Sequence, residues 1–217
     1  DTMTLSDPDS LRCHANARAL MTGYQTELLA NDFADDAPSF LLLSGGGSHG
    51  AWGAGFLKGW RTEGDSPFLV VTGVSTGALQ ATHAFLGKYD ELYKLYTTSD
   101  DSSIWKKRFF LTLPFANSLR TVKPMRALLK DYIQEADILN VAEQADSRLL
   151  CVGSVELQSG RLTEWNLTEI ARRMAAAPAN SDDRQYWFDL YHEVIVASAA
   201  VPAVFPPVEF ETESGAI

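Results

Sequence analysis

The segment that decides the fold is Gly73-Val74-Ser75-Thr76-Gly77, which follows the apolar run Phe68-Leu69-Val70-Val71-Thr72 and precedes a helix-forming stretch. A Gly-x-Ser-x-Gly pattern between a strand and a helix is typical of a nucleophile elbow. Small residues such as Gly73 and Gly77 let the chain turn sharply and present one hydroxyl. Ser75 is therefore the candidate nucleophile. The alternative is a glycine-rich turn in which Ser75 only caps the following helix.

A second glycine-rich loop lies upstream. Residues 39–44 read as a buried strand that runs into Gly45-Gly46-Gly47-Ser48-His49-Gly50, followed by a helix of small residues over 51–60. A triple glycine exposes backbone N–H groups that can bind an anion. The spacing to Ser75 predicts a βαβ unit with both loops at the same carboxyl edge of a parallel sheet. Acyl transfer needs this pairing of a hydroxyl with oxyanion donors, each of which is worth about 3 kcal/mol.

Dinucleotide binding is the competing interpretation of this loop, because residues 45–50 also satisfy Gly-x-Gly-x-x-Gly. A nucleotide site would place an acidic residue at the end of the second strand. Here that strand leads into the serine elbow, and Asp65 lies in the turn before it. We therefore expect no organic cofactor. A Walker phosphate loop is excluded because no Gly-Lys-Ser or Gly-Lys-Thr occurs.

Three blocks together resemble the patatin-like phospholipase family. They are residues 45–50, residues 73–78, and Ala197-Ser198-Ala199-Ala200-Val201-Pro202-Ala203-Val204-Phe205-Pro206-Pro207. The resemblance implies a three-layer α/β/α sandwich with a mostly parallel central sheet. It also implies a Ser-Asp dyad that hydrolyses acyl esters of lipids, with Ser75 as the nucleophile and the loop at Gly45, Gly46 and Gly47 as the oxyanion hole.

The chain departs from the family pattern in two places. The family usually has Arg or Lys before the last glycine of its first block, where this chain has His49. The family's dyad aspartate stands in a late Asp-Gly motif, whereas the residues after Pro207 offer only Glu209, Glu211 and Glu213. We expect the domain to be truncated before its aspartate, which would lie beyond Ile217. If it does not, the protein is a silent hydrolase or is completed by another chain.

The histidines do not predict a Ser-His-Asp triad. Only His83 and His192 follow Ser75; His83 lies about 12 Å down the elbow helix, and His192 sits in an apolar helical stretch typical of a core histidine. His14 precedes the domain. His49, His83 and His192 share no ligand spacing with carboxylates or cysteines, so the sequence predicts no metal site.

Composition and net charge limit the classes of partner that the protein can bind. The 217 residues are 46% hydrophobic, enough for one packed domain, and the net charge of −10 argues against nucleic acid and against anionic lipid surfaces. No apolar run is long enough to span a membrane. The basic and aromatic segment at 102–115 is read as a loop folded onto the core, and the alternative is a lipid-contacting wall of the acyl pocket.

The sequence does not identify the cellular compartment of the protein. Two cysteines, Cys13 and Cys151, do not define a disulfide framework, and we expect the first to be partly exposed and the second buried. The chain starts at Asp1 without a recognisable leader, which is compatible with one removed earlier. Asn166-Leu167-Thr168 matches a glycosylation sequon.

We divide the chain into an N-terminal helical extension and acidic linker, 1–38, and a hydrolase domain, 39–217. Further expectations are a leading helix near 8–30, an elbow helix near 76–86 with one core-facing stripe, a hairpin at 148–165, helices near 168–176 and 186–198, and the first arm of a hairpin at 208–211.

The predicted function is lipid acyl-ester hydrolysis through an acyl-Ser75 intermediate. A catalytically silent lipid-binding or scaffolding protein on the same fold is the first alternative. A nonspecific esterase or thioesterase is the second.

Overall fold

The structure is a computed structural model of the chain. It describes residues 3–5, 7–13, 18–20, 22, 39–61, 64, 66, 68–97, 122–202, 205–212 and 215–216. The predicted acidic linker at 31–38 and the basic and aromatic segment at 102–115 lie outside the described residues, as do His14, Asp65 and Glu213.

The centre of the molecule is a four-stranded sheet in the order β2-β3-β4-β5. Its strands are β2 (Ser39–Leu43), β3 (Phe68–Val74), β4 (Leu149–Val155) and β5 (Leu162–Asn166). β2, β3 and β4 run parallel and β5 pairs antiparallel with β4, which confirms the hairpin predicted at 148–165. Gly160 makes its turn with a φ of 68°. Because β2 and β3 end in register at Leu43 and Gly73, the two glycine-rich loops leave the same sheet edge.

Helices cover the sheet on both faces, as the predicted three-layer α/β/α arrangement requires. They are α1 (Gly50–Trp60), α2 (Thr76–Phe85), α3 (Tyr89–Thr97), α4 (Lys123–Tyr132), α5 (Glu135–Glu143), α6 (Leu167–Ala176) and α7 (Asp182–Ala199). α1 and α3 form a small core with Leu41 and Leu43 of β2. A larger core packs the four helices α4, α5, α6 and α7 against β3 and β4.

The elbow helix α2 differs from its prediction in burial. We expected one apolar stripe facing the core, but all ten residues of α2 are buried. Its Ala84 belongs to the small core and its Ala78, Leu79 and Phe85 to the larger one. A helix enclosed on every side tolerates little movement, so the residue at its start is held firmly.

The N-terminal extension begins with a strand that the sequence did not predict, and within the predicted helix near 8–30 the described residues 13, 18–20 and 22 are helical. β1 (Met3–Leu5) pairs in parallel with β6 (Phe210–Thr212), and a 3-10 turn follows at Asp9–Leu11. Cys13 is buried, not partly exposed, and it forms a disulfide with Cys151 of β4. The pairing crosses 138 residues, which is why local sequence patterns did not reveal it.

The C-terminal end forms a second, three-stranded sheet in the order β1-β6-β7. β7 (Gly215–Ala216) returns antiparallel to β6, so the hairpin arm expected after 208–211 has its partner within the chain. Phe210 packs against Trp165 at a ring distance of 5.1 Å, which joins this sheet to the central one.

Candidate active site

Ser75 occupies a strained backbone conformation between β3 and α2. Its φ and ψ are 55° and −120°, a region that non-glycine residues rarely adopt and that costs about 1–3 kcal/mol. A side chain at Gly77 would collide with the carbonyl oxygen of Leu43, and one at Gly73 would lie 2.5 Å from the carbonyl oxygen of Gly77. The sharp turn therefore depends on both glycines, and it leaves Ser75 half-buried at the sheet edge.

Ser198 supports the elbow from the opposite side. The Ser75 N–H donates to Ser198 Oγ at 2.9 Å, and the Ser198 hydroxyl donates to the carbonyl oxygen of Gly153 at 2.6 Å. Ser198 thus links α7, β4 and the elbow. The N–H of Ser75 is already hydrogen-bonded to Ser198. Ser198 belongs to the third block, but local sequence patterns do not predict its role, because the contact with Ser75 spans 123 residues.

The glycine loop lies directly beside the Ser75 hydroxyl. A Cβ at Gly45 would stand 3.3 Å from Ser75 Cβ and 4.0 Å from its Oγ. Gly46 and Gly47 have φ values of 147° and 56°, which favour glycine. Among the described residues, none accepts a hydrogen bond from the N–H of Gly46 or Gly47. These two groups are available to a ligand.

His49 stabilises the same loop. Its Nδ1–H donates to the Gly46 carbonyl oxygen at 2.9 Å, and its backbone N–H donates to that oxygen at 3.1 Å. His49 stands where the family usually has Arg or Lys, and its two hydrogen bonds to the Gly46 carbonyl oxygen stabilise the loop.

An apolar cleft of about 610 Å³ opens beside Ser75. It runs between the β4–β5 hairpin and the third block, with Trp165 among its walls. The Trp165 Nε1–H donates to Ser154 Oγ at 2.9 Å, which fixes the ring. Further lining residues are Val74, Val155, Leu157, Leu162, Ala197, Val201, Pro202, Val208 and Phe210. The cleft suits a hydrocarbon chain rather than a charged ligand.

Carboxylates approach the cleft without contacting the serine. Glu156 and Glu209 line it, yet in the described part of the chain no residue hydrogen-bonds to Ser75 Oγ. Glu211 lies on β6, beyond the lining residues.

The described histidines after Ser75 are core residues. His192 is buried with Nδ1 2.7 Å from the carbonyl oxygen of Phe188 and Nε2 2.9 Å from that of Ile133. Burial lowers its pKa, although both carbonyl contacts act in the opposite direction. His83 is buried in α2, stacked on Tyr132. Folding does place His83 beside Glu91 and Asp137, a grouping that the sequence spacing gave no reason to expect.

A model of the patatin-like phospholipase family matches residues 41–216. The chain belongs to the patatin-like phospholipase family. No curated protein matches it in a sequence comparison.

Membership makes this patatin-like chain a relative of lipid acyl hydrolases. The matched span begins within β2 and includes the glycine loop, the elbow and the third block. β1 and Cys13 lie before it. No helix in the described part of this patatin-like protein is long and apolar enough to cross a bilayer.

Proposed function

We propose that the protein hydrolyses acyl esters of lipids through a covalent acyl-Ser75 intermediate. The observation that carries the proposal is the strained Ser75, which lines an apolar cleft and lies against Gly45 of the glycine loop. In the described part of the chain, the N–H groups of Gly46 and Gly47 in that loop have no acceptor. Family membership supports the class of substrate.

In the proposed reaction Ser75 Oγ attacks the ester carbonyl carbon, and the acyl chain lies in the cleft. The carbonyl oxygen becomes an oxyanion that accepts hydrogen bonds from the glycine loop, while the dipole of α2 adds modest stabilisation. The resemblance supplies an aspartate as base: it takes the Ser75 proton and returns it to the departing alcohol. Water then attacks the acyl-serine, and its proton passes through the same carboxylate to restore the hydroxyl.

Labelling with a fluorophosphonate tests this assignment directly. The wild-type protein should incorporate one label on the peptide that contains Ser75, and Ser75→Ala should incorporate none. Phospholipid hydrolysis should disappear in the same variant. Ser154→Ala, which alters another serine of the cleft, is the matched control and should still be labelled. Labelling elsewhere, or equal labelling of Ser75→Ala, would overturn the proposal.

The catalytically silent alternative rests on the lack of a described carboxylate at Ser75 Oγ. It predicts phospholipid binding without fluorophosphonate labelling. A nonspecific esterase would instead be labelled and would cleave a short-chain soluble ester faster than a dispersed phospholipid. The ratio of the two rates separates that alternative from a lipid hydrolase.

We further propose that the protein meets its substrate at a lipid surface of low net charge. Val74, Val155, Leu157, Leu162 and Val201 line the cleft and are each about half exposed or more, so they form an apolar collar around it. The net charge of −10 disfavours anionic membranes. Co-sedimentation with phosphatidylcholine vesicles should fall in Leu157→Ser/Leu162→Ser and persist in Leu42→Ser, which alters an exposed leucine outside the collar. Equal binding by all three proteins would contradict this surface.

A further inference from the structure

A second cluster of chemically active side chains lies on the far side of the elbow helix, outside the Ser75 cleft. His83 of α2, Glu91 of α3 and Asp137 of α5 each present one ligand atom, and these atoms lie within 4.8 Å of one another. His83 Nε2 is 3.4 Å from Glu91 Oε2. Three separate elements thus converge on one point.

His83 has no hydrogen-bond partner in this cluster. The residue is fully buried, and both ring nitrogens lack a partner among the described residues. Tyr132 stacks on the ring at 4.0 Å, and its buried hydroxyl makes no hydrogen bond to any residue that the structure describes. Buried polar atoms are nearly always paired, so such a group requires an explanation, and a bound ion is one of the standard ones.

The ligand atoms of the cluster are held in place by the fold. Both ring nitrogens of His83 are buried without a hydrogen-bond partner among the described residues, and an imidazole nitrogen is a common zinc ligand. Asp137 is held in place because its Oδ2 accepts from the Gln134 N–H at 2.8 Å, which leaves Oδ1 directed at the cluster.

We propose that His83, Glu91 and Asp137 form a binding site for a zinc ion. One imidazole nitrogen with two carboxylates is a donor set that zinc accepts, whereas magnesium and calcium favour oxygen ligands alone. Zinc bonds of about 2.0–2.2 Å require the three atoms to draw together. Glu91 can move most easily, because its side chain is about half exposed.

Lys88 is the competitor for this position. Its Nζ lies 2.5 Å from Asp137 Oδ1 and 3.9 Å from Glu91 Oε2, so the ammonium group balances the same carboxylates that would bind zinc. The Lys88 side chain is partly exposed, and a turn towards solvent would release Asp137 Oδ1. Zinc binding therefore displaces the Lys88 ammonium group, and the affinity is reduced by that exchange.

The role of the site is structural. His83 lies eight residues along the helix from Ser75, about 12 Å by helical rise, so the ion does not reach the ester. It would join α2, α3 and α5 and hold the elbow helix from behind. Because the site is separate from the cleft, it can be tested independently of the proposed hydrolase activity.

The test uses the full chain, stripped with EDTA and then titrated with zinc by calorimetry and by thermal denaturation. We expect one equivalent of zinc and a rise in Tm. Glu91→Gln should lose both, and Lys88→Gln should bind about tenfold more tightly. Glu143→Gln, an exposed carboxylate of α5, is the control and should behave as wild type. Cobalt in place of zinc should give the visible absorption of a low-symmetry site in wild type, Lys88→Gln and Glu143→Gln, and should not do so in Glu91→Gln.

Two results would overturn the site. One is no zinc uptake by either the wild type or Lys88→Gln, which would make Lys88 the permanent cation of the cluster. The other is uptake unchanged by Glu91→Gln, which would place the ion elsewhere. Fluorophosphonate labelling of the stripped protein separates this outcome from a failure of the hydrolase proposal, because labelling does not require zinc.

Discussion

In the described part of the chain, the Ser198 hydroxyl contacts Ser75 through the backbone N–H, and this makes Ser198 a positioning residue. Its hydroxyl bridges the Ser75 N–H and the Gly153 carbonyl oxygen. The bridge holds a backbone conformation that is costly by itself, so its loss lets the elbow relax. Removing it also leaves two polar groups without their partner.

We therefore expect Ser198→Ala to lower kcat for ester hydrolysis by about tenfold, equivalent to about 1.4 kcal/mol, with little change in KM. The rate of fluorophosphonate labelling should fall in parallel. Ser154→Ala provides the comparison, since Ser154 bonds to Trp165 and not to the elbow. A loss of stability in urea without a change in kcat would assign Ser198 a purely structural role.

The buried histidines predict how stability depends on pH. Burial lowers the pKa of His83 to about 4 and lowers that of His192, so the unfolded chain takes up protons first as the pH falls below 6.5. The free energy of unfolding should therefore decrease from about pH 6.5 towards pH 4, by up to about 3 kcal/mol from His83. Urea titrations with EDTA present measure this slope. His192→Gln should reduce this slope.

At the scale of single elements, α1 shows how packing overrides helix propensity. Four of its eleven residues are glycine, each costing up to about 1 kcal/mol relative to alanine. Gly50 is explained by contact, because a Cβ there would lie 2.6 Å from Gln80 Nε2 and would also meet Thr76. Gly55 has open space around it. Ring contacts offset part of the cost: Phe56 stacks on Trp52 at 5.3 Å and meets Trp60 in a tilted arrangement at 5.4 Å.

This difference between two glycines of α1 gives a matched pair of variants. Gly55→Ala should raise the free energy of unfolding by about 0.5–1 kcal/mol, because only helix propensity changes. Gly50→Ala should lower it by about 1–3 kcal/mol, because the new methyl group pushes Gln80 away from the Gly50 carbonyl oxygen that it bonds at 2.9 Å. Urea denaturation of both measures the effect. Shifts of the same sign would show that the close approach of α1 and α2 is not needed.

Local patterns in the sequence predicted the elements well, and the reason is physical. The βαβ unit, the elbow helix and the β4–β5 hairpin follow from apolar periodicity and from glycine at turns, which are properties of neighbouring residues. β1, the Ser198 bridge and the cluster at His83 could not be predicted in this way. Each depends on pairing between distant parts of the chain, as when Met3 meets Phe210. The dyad aspartate and the catalytic role of Ser75 remain predictions.

At the scale of the whole molecule, residues 3–5 and 7–13 are part of the folded body. Leu5 and Leu11 are buried in the large core. The Tyr186 hydroxyl donates to the Thr4 carbonyl oxygen at 2.6 Å, and Arg173 Nη2 donates to Ser10 Oγ at 2.6 Å. The disulfide of Cys13 then fixes the end of this segment to the middle of β4. Truncation before residue 13 would thus expose core rather than remove a loose tail.

The disulfide makes the stability of the molecule dependent on redox conditions. It closes a loop of 138 residues, and for loops of this length the constraint on the unfolded chain is worth up to about 5 kcal/mol. We expect Cys13→Ser/Cys151→Ser to lose about 2–5 kcal/mol of unfolding free energy. Dithiothreitol should destabilise the wild type by a similar amount and leave the double variant unchanged, which separates the effect of the bond from that of the packing of its sulfur atoms.

Hydrogen exchange should show β1 opening first on reduction, because its pairing with β6 loses the nearby anchor. Two free thiols in the denatured, unreduced protein would refute the bond. An intact bond would instead favour an oxidising compartment, where disulfides persist.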